Sequence, residues 1–326
     1  MSVIVDAHAH WYSDELLADL VQHTPDAELF QAPDGTRVVR LRGSVASLIP
    51  PWSSDLADRL RLMDALGIGI QVLSCGALDV GWAGDHAPAV ARAANDLLAQ
   101  VCRVRPGRFV FLAAVPLADR RAMSAELERA LGLGAVGVGI TTTYGGLPLD
   151  LPELRDFWRE ASRLELPVFV HPCFSPQGPS SDGGTFLLAG FLGETTLAAT
   201  RLILAGVLEE CPGARLIWSH VGAALPMIVG RLDAGYQRFP TCPRPVSEYL
   251  RRCYYDAVCT HGPALDCAKA TFGFGRLLFG TDEPHRLDQP GDILETIRAR
   301  PWPRAEIPAV LGATAARLFK LHGPSG

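Results

Sequence analysis

The sequence predicts an α/β protein, a (β/α)8 barrel of the TIM type with a small insertion after its first strand. Three observations carry that prediction. Eight short runs are apolar on both faces, as parallel strands covered by helices should be. Amphipathic segments alternate with them, and eight strand–helix units can close a parallel sheet into a barrel. No GxGxxG motif or phosphate-binding loop follows the first run, which disfavours an open doubly wound sheet.

Val3–Asp6 opens the chain as the first strand candidate, and residues 70–74 form the second. Residues 109–114, 135–140, 167–170, 215–218, 253–256 and 276–280 complete the eight. Between them, residues 55–66 place Leu56, Leu60, Met63 and Leu66 at helical spacing and stop at Gly67. Residues 88–104, 120–133, 151–164 and 195–211 read the same way. Two stretches break the rhythm. Residues 11–54 form the insertion, in which 36–41 alternate like a hairpin strand, and residues 172–194 are rich in Gly, Pro and Ser. Both follow strands at the same end of the barrel, so they are expected to cover an active site. A single domain is expected over 1–326.

Composition narrows the chemistry. The chain has 326 residues, 48% hydrophobic and 20% charged, with a formal net charge of -5. Mild acidity with scattered arginine argues against a nucleic-acid or membrane-surface partner. No uninterrupted apolar run has transmembrane length, and the N-terminus has no secretory pattern. Eight cysteines without a CxxC pair read as reduced thiols, and a cytoplasmic location is expected. Of the 30 basic residues only Lys269 and Lys320 are lysine. That leaves almost no room for Schiff-base, pyridoxal or Walker-lysine chemistry.

The candidate chemistry lies at strand ends. His8 and His10 are two apart, a spacing that sets both imidazoles on one side of a strand. His171 ends the fifth strand, His220 follows the sixth and Asp282 follows the eighth. Barrel enzymes place catalytic groups at these C-terminal ends. A ligand role leads for His8, His10, His171 and Asp282, whereas His220 reads equally as ligand or acid/base. Three neutral imidazoles and a carboxylate suit zinc, with manganese or iron as alternatives. Asp282 could also pass a proton at the same centre.

These motifs, Asp6-Ala7-His8-Ala9-His10, His171-Pro172, His220 to Pro226 and Gly280 to Pro284, resemble the amidohydrolase superfamily. More closely, the chain resembles its decarboxylase branch, the 2-amino-3-carboxymuconate-6-semialdehyde decarboxylase-like family. The resemblance runs over nearly the whole chain. It implies a barrel with one metal, usually zinc, on the positions of His8, His10, His171 and Asp282, and an acid/base at His220. It further implies that Arg37 binds a substrate carboxylate and that Arg231 does so across a homodimer interface. The bridging carbamylated lysine of binuclear relatives has no counterpart here.

The chain departs from that pattern beside the metal positions. Cys173-Phe174 stands where the branch has Trp-Asp, and Glu283-Pro284-His285 where it has Tyr-Pro-Phe. Phe174 and His285 are therefore candidate substrate contacts. His261, His86 and Trp82 are weaker candidates, and His23 and His322 are expected to be inert. The expected activity is metal-dependent, non-oxidative decarboxylation of a small unsaturated or aromatic carboxylic acid. Hydrolysis of a lactone, amide or carbon–carbon bond, or hydration of a double bond, is the alternative at the same site.

Overall fold

In the computed structural model, which describes residues 3–174 and 185–321, eight parallel strands form one continuous sheet. They are β1 (Ile4–His10), β5 (Ile68–Ser74), β6 (Phe109–Ala113), β7 (Ala135–Thr141), β10 (Pro167–His171), β11 (Arg215–Trp218), β12 (Tyr254–Asp256) and β13 (Leu277–Leu278), adjacent in that order. All eight sequence-predicted runs are among them. The sheet closes where the Ala7 N–H donates to the Phe279 carbonyl at 2.8 Å and the His10 N–H to the Glu283 carbonyl at 2.6 Å. A bridge between Ala9 and Glu283 completes the barrel.

Two apolar cores follow from that closure. Val5, Ile70, Val72, Leu112, Phe169, Ile217 and Leu278 project from the strands into the barrel, and Ala315, Leu318 and Phe319 join them. A larger core lies between the strands' outer faces and the helices, with Phe157, Trp158, Trp218 and Tyr255 fully buried in it.

The helices end where their chemistry requires. Helix Leu56–Leu66 begins at Asp55, whose carboxylate accepts the Asp58 N–H, and ends at Gly67 with φ +72°. That left-handed value is the reason glycine stands there. From this helix Arg59 reaches inward, buried, and donates to the Gln71 side-chain oxygen and the His10 carbonyl, both at 2.9 Å. Gln71 in turn donates to Asp6 at 2.7 Å, and Thr281 Oγ1 donates to the same carboxylate at 2.6 Å. This chain of bonds ties both ends of the sheet together beneath the site. Arg59→Ala leaves two buried acceptors unsatisfied, so a loss of about 2–5 kcal/mol is expected in denaturant unfolding.

The insertion holds more structure than a hairpin. After helix Asp14–His23, the strands β2 (Ala27–Gln31), β3 (Arg37–Leu41) and β4 (Ser44–Ile49) form an antiparallel sheet, and after β7 a short hairpin pairs β8 (Thr143–Tyr144) with β9 (Leu147–Pro148). Much of the Gly/Pro/Ser-rich stretch, residues 175–184, lies outside the described residues. Beyond it the chain is helical: a π-turn at Phe186–Gly190 runs into helix Phe191–Leu204, nine residues before the sequence-predicted start. Phe186 supplies the reason, because its ring packs against Phe174 at 5.3 Å and Phe191 at 5.1 Å between centroids. Phe186–Leu204 is long and apolar enough to cross a membrane by length and composition. Thr195, Ala198, Ala199, Leu202 and Ile203 are nevertheless buried within the protein.

Candidate active site

His8, His10, His171, His220 and Asp282 meet at the C-terminal mouth of the barrel. His8 Nε2 lies 3.0 Å from His10 Nε2 and 3.1 Å from Asp282 Oδ1, and His10 Nε2 lies 2.9 Å from that same oxygen. His171 Nε2 is 3.8 Å from Asp282 Oδ1, while His220 Nε2 faces the other oxygen, Oδ2, at 3.5 Å. His8, His171, His220 and Asp282 each offer one ligand atom within 4.8 Å of the others, and His10, Asp282 and His285 form a second such group.

Backbone geometry places the carboxylate. The Thr281 and Asp282 N–H groups both donate to the His8 carbonyl, at 3.2 and 2.9 Å. Asp282 itself has φ +55°, a left-handed conformation uncommon for aspartate. Gly280 permits this approach, since a Cβ there would stand 2.8 Å from the Cβ of His8. His220 sits on a comparable turn, with φ +52° followed by Val221 at +60°.

Each buried imidazole is oriented from behind. His8 Nδ1 donates to Asp256 Oδ2 at 2.6 Å, which turns Nε2 to the centre. His171 Nδ1 donates to the Pro172 carbonyl at 2.7 Å, and His10 Nδ1 pairs with Ser74 Oγ at 2.8 Å. Asp256 is a residue sequence reasoning missed. It is fully buried, and its other oxygen accepts the Val221 and Val258 N–H groups at 3.2 and 3.1 Å. The same carboxylate thus orients His8 and pins the turn that carries His220. Its position at the end of the seventh strand was the available signal.

The electrostatics call for a cation. Burial drives His10 well below its ordinary range and takes His171 down to about 4, so both are neutral imidazoles. For His8 burial is outweighed by Asp282 and Asp256, which push it up to about 10. Asp282 is held well below the usual carboxylate range, because His8 and the other imidazoles outweigh its burial. His171 Nε2 is buried with no hydrogen-bond partner. An orphaned acceptor beside two more imidazole nitrogens and a carboxylate is the donor set of a divalent ion. Two atoms each about 2.1 Å from one ion stand about 3.0–3.4 Å apart, close to the spacings here. His8, whose proton an ion would displace, gives a directional test. Metal uptake at pH 7 should release about one proton, and apparent affinity should weaken as pH falls. Calorimetric titration in buffers of different ionisation enthalpy measures both.

The remaining sequence candidates divide. His285 and His261 line a cavity of about 830 Å³ above the cluster, together with His171, His220 and Asp282. His285 Nε2 pairs with the Tyr12 hydroxyl at 3.1 Å. Phe174 does not line the cavity and packs against Phe186. Arg37 is engaged elsewhere: it donates to Asp14 at 2.6 Å, to the Pro50 carbonyl at 3.2 Å and to the Ser53 hydroxyl. Arg231 lies exposed on helix Leu225–Gly235, and neither arginine lines the cavity. Cys173 is buried against the Thr143 hydroxyl, and burial pushes its thiol up to about 12, which disfavours the thiolate at neutral pH. Glu283 is also buried, bonded to Arg286 rather than turned to the cavity. Trp82 is buried and does not line the cavity, and the His86 ring lies tilted against that of His23 at the surface. Lys269 pairs with Glu306 and Lys320 follows the last helix, so no lysine reaches the cluster. His322 lies outside the described residues.

Comparison with known proteins gives a consistent picture. The model of a family described as amidohydrolase matches residues 5–321. A gamma-resorcylate decarboxylase of Rhizobium sp. (strain MTP-10005) is 36% identical over 296 residues, covering 82% of this chain and 88% of that protein. The crystal structure of a 2,6-dihydroxybenzoate decarboxylase from Rhizobium superposes with a TM-score of 0.77 at 28% identity, over 99% of this chain and 100% of that one. A dihydroxybenzoic acid decarboxylase from Polaromonas sp. JS666, with bound manganese and the inhibitor 2-nitroresorcinol, gives a TM-score of 0.76 at 26% identity, over 98% of each chain.

Proposed function

The chain belongs to the amidohydrolase family, and from that premise and the geometry of its site we propose a metal-dependent, non-oxidative decarboxylase of a hydroxylated aromatic carboxylic acid. One observation carries the reading. Three inward Nε2 atoms and Asp282 Oδ1 converge on a point at the floor of a largely apolar cavity, with His220 facing the opposite carboxylate oxygen. Relatives matched over most of the chain are decarboxylases of such acids.

His8, His10, His171 and Asp282 would hold the ion, and zinc or manganese suits three imidazoles and a carboxylate. The manganese in the Polaromonas protein supports the second. When bound, the ion supplies Lewis acidity that fixes the carboxylate end of the substrate and draws charge from it. The protein supplies the proton. The net change replaces a ring carboxylate by hydrogen: the carbon–carbon bond breaks, its pair stays on the ring carbon, and a proton takes the place of departing carbon dioxide. His220 Nε2 holds that proton, beside Asp282 Oδ2 and open to the cavity.

Asp256 positions the assembly from behind His8. Asp256→Asn keeps the shape but weakens the charge that fixes the imidazole, so metal affinity should fall about 10–100-fold in a chelator competition assay. A single domain, a homodimer and a cytoplasmic location complete the proposal. The insertion strands that reach the cavity support the first. An exposed Arg231 supports the second, and eight unpaired thiols the third. The reaction itself is tested by incubating metal-loaded protein with 2,6-dihydroxybenzoate in deuterium oxide. Release of carbon dioxide with deuterium on the ring supports the reading. Turnover of lactones or amides without such release sinks it in favour of hydrolysis.

A further inference from the structure

The cavity above the cluster is much larger and more apolar than a single-ring acid requires. Cavities of about 300–1,000 Å³ take drug-sized ligands, and this one holds about 830 Å³. Its floor is polar, formed by His171, His220, Asp282 and His285. Its outer wall is mostly apolar. Leu48 comes from the insertion, Leu188 and Leu192 from the helix after β10, Met227 from the helix after β11, and Leu287 from the loop after β13. No lysine or arginine lines it among the described residues. Its outer carboxylate, Asp288, accepts from the Thr260 hydroxyl at 2.6 Å. The nearby Arg37 and Arg286 are bound to Asp14 and to Glu283 and Asp58.

The rim is conspicuously exposed. Leu188 is 60%, Leu287 71% and Met227 77% accessible, which places them among the most exposed large hydrophobic side chains of the protein. They are continuous with the wall that descends to the metal-ligand cluster. A ring carboxylate seated on the floor would direct substituents on the far side of the ring into this apolar space. A second carboxylate there would lose its hydration and find no cation in return.

We propose that the substrate is a hydroxybenzoate carrying an apolar side chain of several carbons, seated along Leu48, Leu188, Leu192, Met227 and Leu287. This rests on the decarboxylase reading and adds the substrate class to it. The balance is unchanged by the tail: a 2,6-dihydroxy-4-alkylbenzoate and a proton give carbon dioxide and a 5-alkylresorcinol.

Two series measured on the metal-loaded protein test the proposal: decarboxylation of 2,6-dihydroxy-4-alkylbenzoates from methyl to pentyl, and calorimetric binding of the matching 5-alkylresorcinols. Each methylene buried against the wall should raise kcat/KM of the acids and the affinity of the resorcinols about fourfold. A carboxyl group on the end of the pentyl chain should cancel the gain. Leu188→Asp should lower the pentyl-to-methyl ratio in both series. Flat or falling series overturn the proposal, and so does a Leu188→Asp protein that dissociates from dimer to monomer while the wild-type series is flat. That result would assign the rim to a second copy of the chain. Resorcinols that tighten with chain length while no acid releases carbon dioxide would uphold the apolar subsite and sink the reaction. Turnover of 2,6-dihydroxybenzoate with a flat series would do the reverse.

Discussion

Asp282→Asn should strip the protein of metal and lower decarboxylation by at least about 10³-fold, equivalent to about 4 kcal/mol of barrier. One carboxylate oxygen stands within 3.1 Å of two imidazole nitrogens and 3.8 Å of a third. No other carboxylate offers an oxygen to that point among the described groups of metal-ligating side chains. The amide is nearly isosteric but neutral, so the counter-charge for a divalent ion disappears while packing hardly changes. Removing the charge also withdraws the first support for the raised proton affinity of His8. The variant should therefore release markedly less than one proton on exposure to metal. Elemental analysis after dialysis, paired with carbon dioxide release, measures both losses. Near-stoichiometric metal with normal turnover would remove Asp282 from the centre.

His220→Gln should separate the two functions of the cluster. His220 faces Asp282 Oδ2 at 3.5 Å, on the side away from the oxygen shared by His8 and His10. Its Nδ1 is buried without a hydrogen-bond partner, so no acceptor behind it fixes a tautomer in the way that Asp256 fixes His8. That contrast favours a proton carrier over a fourth imidazole ligand. Glutamine keeps a polar tip of similar reach but cannot hold and return a proton. The expected result is near-normal metal content with kcat lowered about 10²–10⁴-fold, the usual range for a lost acid/base. Loss of metal in parallel with activity would return His220 to the ligand set.

Much of this site was legible because the barrel converts linear position into spatial position. A residue just past an apolar run lands at the mouth, which brings His8, His10, His171, His220 and Asp282 together from four segments of the chain. Asp256 obeyed the same rule, but its strand is three residues long and it shares no local motif with the histidines. Arg37 illustrates the opposite limit. Its alternating strand marks a face, yet what the guanidinium reaches depends on Asp14 and Ser53 across the insertion. The early helix start at Phe186 has a tertiary cause as well, the packing of three phenylalanine rings drawn from either side of residues 175–184. The apolar outer cavity was the least visible feature. Its wall is assembled from single residues on separate loops, and no periodicity marks them.

The central claim, one ion serving one decarboxylation site, is tested most directly by titration. Metal-free protein is supplied with increasing zinc or manganese, and carbon dioxide from carboxyl-labelled 2,6-dihydroxybenzoate is measured at each step. The account predicts a rate that rises in proportion to metal and breaks at one ion per chain. A break at two ions, or no labelled carbon dioxide at any loading, would contradict it.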